Sequence, residues 1–454
     1  MNIVSKKINN AAPNVSRLQW AIVLGLALIT VLFFLLVWSA RAASDTGFKD
    51  FSYTGVYTPT GQKPQSKLWY NDGIWWGSLF NKITNSYEIY RFDWNANSWS
   101  TTNTLIDMRK ESSADAMWSG LKLYIVSAVP PGSTGDLDIK VLRYSYDTGT
   151  QTYSMDSGFP VTVVSLAVET VVMDQDSQGR LWLTYTLDTI YTTREVYVTH
   201  TTTGDDVWIT PFVLPVTGAS NLKPDDISTI VSYNGRIGVM WSNQNDAVVY
   251  FASHLDDDPD NIWLSNPALS GPGYADDHLN IKSMQADARG QVFGVVKTSL
   301  GDTQVDPSLP LIVLLTLNGS NTWGTRVFAT VGDNHTRPIL LLDNENGVIY
   351  VFATVEYGTQ ATGAIYYKST SLDDPSQQFP TGLGTPFIEF ASDPHINDAT
   401  STKQTVNSTS NLLVIAGDDN SRFYFHNVID LGPAQPTPTA VPELYVQVIP
   451  LVWH

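Results

Sequence analysis

Seven times along the chain a short polar turn leads straight into an apolar run. Asn71-Asp72-Gly73 precedes Ile74 to Trp76, Trp118-Ser119-Gly120 precedes Leu121 to Tyr124, and Ser177-Gln178-Gly179 precedes Arg180 to Leu183. Tyr233-Asn234-Gly235, Ala288-Arg289-Gly290 and Glu345-Asn346-Gly347 follow, and Thr409-Ser410-Asn411 closes the series ahead of Leu412 to Ile415. The last residues of these turns lie 47, 59, 56, 55, 57 and 64 positions apart. A period of that size marks a repeat architecture, and it constrains the fold before any chemistry is considered.

A second series shares the period. Downstream of each of the first six turns, polar turn residues lead to an aromatic: Trp99, Tyr153, Trp208, Trp263, Trp323 and Phe379, spaced 54, 55, 55, 60 and 56 apart. Between the markers, segments such as Arg236 to Trp241 and Ala247 to Ser253 are rich in Val, Ile, Tyr and Trp, with Gly, Asn and Asp at their ends, as strands require. No segment beyond the first 40 residues has a convincing helical period. The expected fold is all-β, a seven-bladed β-propeller of four-stranded blades spanning residues 51–432. The seventh repeat lacks an aromatic marker and an outer strand, which Phe51 to Thr58 would supply to close the ring.

Leu18 to Ala40 is uncharged and, as a helix, long enough to cross a bilayer, with Trp20 and Trp38 near its ends. Lys6, Lys7 and Arg17 precede it, so residues 1–17 should stay in the cytoplasm and everything after Arg41 should lie outside. Ala40-Arg41-Ala42 also suits a signal-peptide cleavage site, although the apolar run exceeds a usual signal core. Both outcomes export the rest of the chain, either anchored or secreted. Residues 41–50 would form a stalk, 433–443 a Pro/Thr linker and 444–454 a short apolar tail. The formal charge of −18 becomes −22 once the four cations of the first 44 residues are set apart. So acidic a domain repels phosphate backbones, which argues against nucleic-acid partners. The absence of Cys excludes disulfides and thiolate metal sites.

The hairpins that end in an aromatic resemble the Asp-box of sialidase-like propellers, Ser-x-Asp-x-Gly-x-Thr-Trp, most closely at Ser253 to Trp263 and Ser369 to Phe379. Asp93 to Trp99 is similar to a kelch repeat. The resemblance covers residues 51–430 as architecture. It implies a propeller that either binds glycans or acts on them as a lyase or glycoside hydrolase. The Arg-Ile-Pro of sialidases does not occur here.

Three of the seven histidines share an Asp-x-His setting: Asp276-Asp277-His278, Asp333-Asn334-His335 and Asp393-Pro394-His395. His278 and His335 each stand 12 residues before their turn glycine, and His395 stands 16 before Asn411. That register places them where the chain enters the innermost strand, beside the central funnel, with Arg337, Asp398, Asp225 and Asp226 within reach. Imidazoles beside carboxylates suit acid–base catalysis or metal binding. The segment His335-Thr336-Arg337-Pro338 is similar to funnel segments of propeller lyases, which implies Arg337 neutralising a uronate while a His takes its proton. A repeat-encoded turn, with Asp capping amides and His packing on a neighbour, accounts for the same pattern. Asp174 and Asp176 partly match the start of a calcium loop at a repeat turn, and calcium is the candidate ion there. The favoured expectation is a binding module for a glycan or another surface protein, with exposed Trp and Tyr stacking on sugar rings. A polysaccharide-active enzyme is the alternative.

Overall fold

The computed structural model describes residues 45–433, apart from 62–63, 189–193, 203, 277–283, 304–305 and 358–362. The expected membrane span at 18–40 lies outside the described residues, as do residues 1–17, nearly all of the linker and the tail. Among the described residues, no helix is long and apolar enough to cross a membrane.

Seven antiparallel sheets follow one another along the chain, six of them built in sequence order from an inner strand outwards and the seventh completed by a strand from the start of the propeller. The inner strands are Leu68–Asn71, Ser113–Trp118, Val171–Gln175, Ser228–Tyr233, Met284–Ala286, His335–Asp343 and Ile396–Thr400. The architecture is the seven-bladed propeller that the two repeat series predict. Blade 2 departs from four strands: Thr152–Met155 and Val161–Ser165 both pair with Asp138–Asp147. Two single turns of helix, Leu300–Thr303 and the 3-10 turn Val331–Asp333, interrupt the β pattern.

The turns that set the period join each inner strand to the second strand. In two of them the loop is only two residues long, Asp72-Gly73 between paired Asn71 and Ile74, and Asn234-Gly235 between paired Tyr233 and Arg236. All four turn residues have positive φ, from 46° to 77°. That is the type I′ geometry whose twist matches a hairpin, and it explains the Asp-Gly and Asn-Gly pairs. The second strands run between neighbouring blades and are covered on both sides, so Ile74–Asn81 and Leu412–Asp418 are buried throughout. Their sequences are apolar runs rather than alternating ones for this reason.

The aromatic markers fasten blade to blade. Tyr153 of blade 2 meets Trp76 of blade 1 with ring centroids 5.0 Å apart, Trp263 of blade 4 meets Trp182 of blade 3 at 6.1 Å, and Phe379 of blade 6 meets Phe328 of blade 5 at 5.4 Å. Such edge-on pairs add about 0.5–1.5 kcal/mol each beyond area burial.

Ring closure uses Phe48–Ser52, which begins earlier than the expected Phe51 to Thr58 and pairs antiparallel with Phe423–Ile429. Gly55 and Thr58 have positive φ and turn the chain away after this strand, so the segment beyond Ser52 cannot continue the ladder. The closure is pinned by Tyr53, whose hydroxyl donates to the Asp418 carbonyl at 2.7 Å, and by the buried His426–Asp50 pair at 2.7 Å. Burial raises the Asp50 carboxyl above its ordinary value, opposed by His426.

Polar groups tie the blades together along the axis. Asp115, fully buried on the inner strand of blade 2, accepts from the Ser66 amide at 2.9 Å and the Met173 amide at 2.8 Å. It also holds Lys403 at 2.7 Å. Buried Lys67 donates to the Gln65 side chain at 2.8 Å and to the Ala114 carbonyl at 2.6 Å. Blades 1, 2, 3 and 7 thus meet in one network.

Candidate functional site

In each blade the inner strand begins, and the second strand ends, on the same face of the ring. His335 pairs with Val355 in blade 6, and Ile396 pairs with Asp418 in blade 7. The residues just beyond those second strands, Glu356, Tyr357 and Asp419, therefore stand beside the starts of the inner strands. Two adjoining cavities open around Arg337 on this face. One, of about 400 Å³, is lined by Lys297, Asp302, His335, Thr336, Arg337 and Glu356 among others. The other, of about 250 Å³, is lined by Arg337, Thr354, Glu356, Tyr357, His395, Asn397 and Asp419 among others. Arg337 and Glu356 belong to both.

Backbone irregularity aims the side chains here. The inner strand of blade 6 shifts register between Thr336 and Ile339, and that of blade 7 between Asn397 and Thr400. Arg337 and Asp398, at these shifts, have φ of 51° and 55°. Left-handed backbone at a non-glycine residue costs on the order of 1 kcal/mol or more, and bulges commonly re-aim a side chain at a site. The two strained residues meet: Arg337 Nε lies 3.2 Å from Asp398 Oδ1. Arg337 Nη1 also donates to Glu356 at 2.8 Å. The guanidinium is held above its ordinary pKa by these carboxylates, although burial opposes the shift most strongly. Asn397 donates from Nδ2 to Asp419 at 3.1 Å. Burial and the charge of Asp398 push the Asp419 carboxyl up.

His335 opens its strand and is buried. Its ring packs edge-on against Phe328 and Tyr366, and Nε2 lies 3.0 Å from the Leu383 carbonyl. A carbonyl only accepts, so the proton sits on Nε2 and Nδ1 carries a lone pair. Among the described residues that Nδ1 has no hydrogen-bond partner. Burial first, then the charge of Lys368, depresses the imidazole to about 4, so it is neutral at physiological pH. The second cavity repeats the theme: the hydroxyl of buried Thr354 has no partner among the described residues. His335 and Thr354 thus each line a cavity while keeping one polar atom buried behind it, the kind of group that an internal water satisfies.

His395 stands just before the inner strand of blade 7, its ring 4.4 Å from that of Tyr357, which is 57% exposed. Gly363 bridges to His395, and a Cβ there would fall 2.6 Å from the Pro394 carbonyl, so only glycine allows this approach.

The other predicted residues are placed as follows. His335 and His395 line different cavities, with Arg337 between them, and Asp277 and His278 lie outside the described residues. Asp276 is buried behind Lys297 as its ion-pair partner. Asp333 caps a short helical turn, accepting from the Thr330 amide at 2.9 Å and hydroxyl at 3.0 Å. Asp393 holds Lys49 of the closing strand at 2.7 Å. Buried Asp226 accepts from the Ser242 hydroxyl at 2.5 Å and the Gln244 amide group at 2.9 Å, and Asp225 accepts from the same Gln244. Asp226 and Asp225 knit the entrance of blade 4 and line neither cavity.

Asp174 and Asp176 serve separate tasks. Asp176 accepts from Arg180 Nε at 2.6 Å and Trp182 Nε1 at 2.9 Å, whereas Asp174 accepts from the Ser232 amide of the next blade at 2.7 Å. Their oxygens are spent on the turn and on the neighbouring inner strand. Among the described residues, no group of three His, Asp or Glu side chains is arranged to hold a metal ion.

Glu356, Tyr357, Asn397, Asp419 and Thr354 are the cavity residues that the motif search passes over. The repeat register holds the signal for four of them: Thr354, Glu356, Tyr357 and Asp419 close or follow a second strand opposite a predicted inner-strand entry, whereas Asn397 lies on the inner strand of blade 7 itself.

No protein-family model matches the chain, and no curated protein matches it. Among solved structures it is similar to the periplasmic gluconolactonase of Pseudomonas aeruginosa, at 14% identity over 86% of this chain and 98% of that one, with a TM-score of 0.46. It is also similar to the α-L-arabinanase of Penicillium chrysogenum, at 13% identity over 70% and 92% of the two chains and a TM-score of 0.41. The α-L-arabinofuranosidase of Lactobacillus brevis follows, at 13% identity over 62% and 98% and a TM-score of 0.35. These likenesses concern propeller architecture alone.

Proposed function

We propose that this chain is a membrane-anchored propeller, displayed outside the cytoplasm, that binds a polyhydroxylated ligand of the glycan class in the paired cavities around Arg337. The observation that carries this reading is the polar lining that meets an exposed aromatic ring: Glu356, Asn397 and Asp419 stand beside Tyr357 in the second cavity, and Arg337 and Glu356 continue that lining into the first. Tyr357, exposed at the rim, offers a ring face for a sugar, and Asn397, Glu356 and Asp419 supply further donors and acceptors. Small polar cavities suit a sugar unit better than a protein surface, which calls for a broader apolar patch. Export is supported by the apolar run at 18–40 with its preceding cations. The Asp-box-like hairpins support kinship with sialidase-like propellers.

The full-length protein on a glycan array should retain at least one oligosaccharide class, and Tyr357→Ala should weaken that binding about tenfold, or 1.4 kcal/mol. Retention of no glycan would sink the reading. So would binding indifferent to both Tyr357→Ala and Asn397→Ala.

A second reading rests on Asp419, whose carboxyl is raised by burial beside Asp398 while Glu356 shares its cavity. Two carboxyl groups with different environments are what glycoside hydrolysis uses, one as proton donor and one as base or nucleophile. Under this reading the protein releases reducing ends from a bound oligosaccharide, and Asp419→Asn lowers the rate by about a hundredfold. Binding without product release leaves the binding module as the function.

A further inference from the structure

The charges around the shared guanidinium bear on which sugars the cavities admit. Among the described residues, Arg337 is the one Lys or Arg of the second cavity's lining, and it already pairs with Glu356 at 2.8 Å and Asp398 at 3.2 Å. Asp419 lines the same cavity and adds a third carboxyl that acts on Arg337. In the first cavity, Lys297 is matched by Asp276 from behind, and Asp302 adds another acid to the lining. Neither cation is left over for an incoming carboxylate or sulfate. The whole chain, at −18, adds a repulsive background.

We propose that the site selects its sugars by charge: it admits uncharged and amine-bearing glycans and turns away uronates and sulfated glycans. This rests on the glycan-binding reading above and deepens it. The physical basis is exclusion by unmatched like charges rather than a contact made to the preferred ligand. Arg337, which by motif resembles a uronate-neutralising residue, acts instead as the internal counter-ion of its carboxylates. An anionic sugar reaching it would have to displace Glu356 or Asp398. A neutral sugar meets these same groups as hydrogen-bond acceptors, and an amine meets them as counter-ions.

The test uses the full-length protein and glycan series with matched backbones, such as β-1,4-linked glucose oligomers, their 2-amino forms and their 6-carboxylate forms, together with comparable series of other linkages. In whichever linkage binds, the neutral and amine forms should bind at least tenfold tighter than the acidic form at low salt. The gap should shrink as ionic strength rises, because the repulsion is screened. Glu356→Gln, at a half-exposed position where a neutral amide is tolerated, should narrow the gap between neutral and acidic forms several-fold; Asp419→Asn should do the same. Acidic forms bound as tightly as neutral ones, or a gap unmoved by both variants, overturns the charge selection while the glycan reading stands. Failure of every series to bind, whatever its charge, instead brings down the glycan reading itself.

Discussion

Asp115→Ala is expected to cost the propeller roughly 3–5 kcal/mol, the range for breaking a buried charge pair from one side. Asp115 is fully buried, and its two carboxylate oxygens serve the Ser66 amide, the Met173 amide and the Lys403 ammonium. Removing it strands two backbone donors and leaves Lys403, itself half-buried, with the Met173 carbonyl at 2.5 Å and the charge of Asp174. The loss is distributed over blades 1, 2, 3 and 7, so cooperative unfolding rather than local fraying should follow. For a domain near this size the corresponding fall in Tm is about 5 °C. Lys403→Met should also destabilise, because it leaves the Asp115 charge buried, and the Asp115→Ala/Lys403→Met pair should recover part of the loss. Thermal or urea unfolding of the four proteins checks this. A loss under about 1 kcal/mol for Asp115→Ala, or strict additivity in the double variant, would show that the axis is not held by this pair.

How much of this was legible in the sequence depends on whether a feature recurs. The fold was legible because each blade restates it: seven turns, two of them Asp-Gly or Asn-Gly pairs with positive φ, and six aromatics in register. Ring closure was legible as a deficit in the seventh repeat, but its register was not. Phe48 and Lys49 pair with His426 and Phe425, whereas Gly55 and Thr58 turn the chain out of the sheet. Propensity alone does not separate such a strand from the extended residues after it.

The site was legible only in part. Counting back from the turn glycines locates His335 and Arg337 correctly at an inner-strand entrance, because that offset is a property of the repeat. It says nothing of where a side chain points. Asp333, two residues before His335, turns back to cap a helical turn, and Asp393, two before His395, reaches the closing strand. Asp226 is drawn into the Gln244 and Ser242 amide and hydroxyl groups of its own blade. The carboxylates that share the cavities with Arg337, Glu356 and Asp419, sit in no motif, since what brings them there is pairing between the first and second strands. The opposed irregularities at Arg337 and Asp398 are likewise properties of register, invisible to residue type.

Replacing His335 by Gln should flatten the pH dependence of stability between about pH 6.5 and pH 4 by about 3 kcal/mol. In the folded protein this imidazole is depressed to about 4 from an ordinary 6.5, by burial first and by the Lys368 charge second, with Asp333 and the Leu383 carbonyl opposing. The unfolded chain therefore takes up a proton on His335 between those two values while the native protein does not. Stability from this group is intact above pH 6.5, declines as pH falls, and is lost fully once the native imidazole protonates near pH 4. Asp50, Asp174, Asp226 and Asp419 have raised carboxyls and contribute with the opposite sign, gaining stability on acidification. They are common to wild type and variant, so the difference between the two urea-derived stability curves isolates His335. Gln keeps a donor for the Leu383 carbonyl but has no titration in this range, and Lys368 and Phe328 stay in place around it. The two curves should converge near pH 4 relative to their separation at pH 7. The same experiment reaches the function. His335 lines the first cavity, and its protonation would put a charge behind that wall, so glycan binding should persist to about pH 5 and weaken only as the imidazole protonates below that. Parallel curves across the range would mean that the imidazole is not held buried and neutral in the packing against Phe328 and Tyr366.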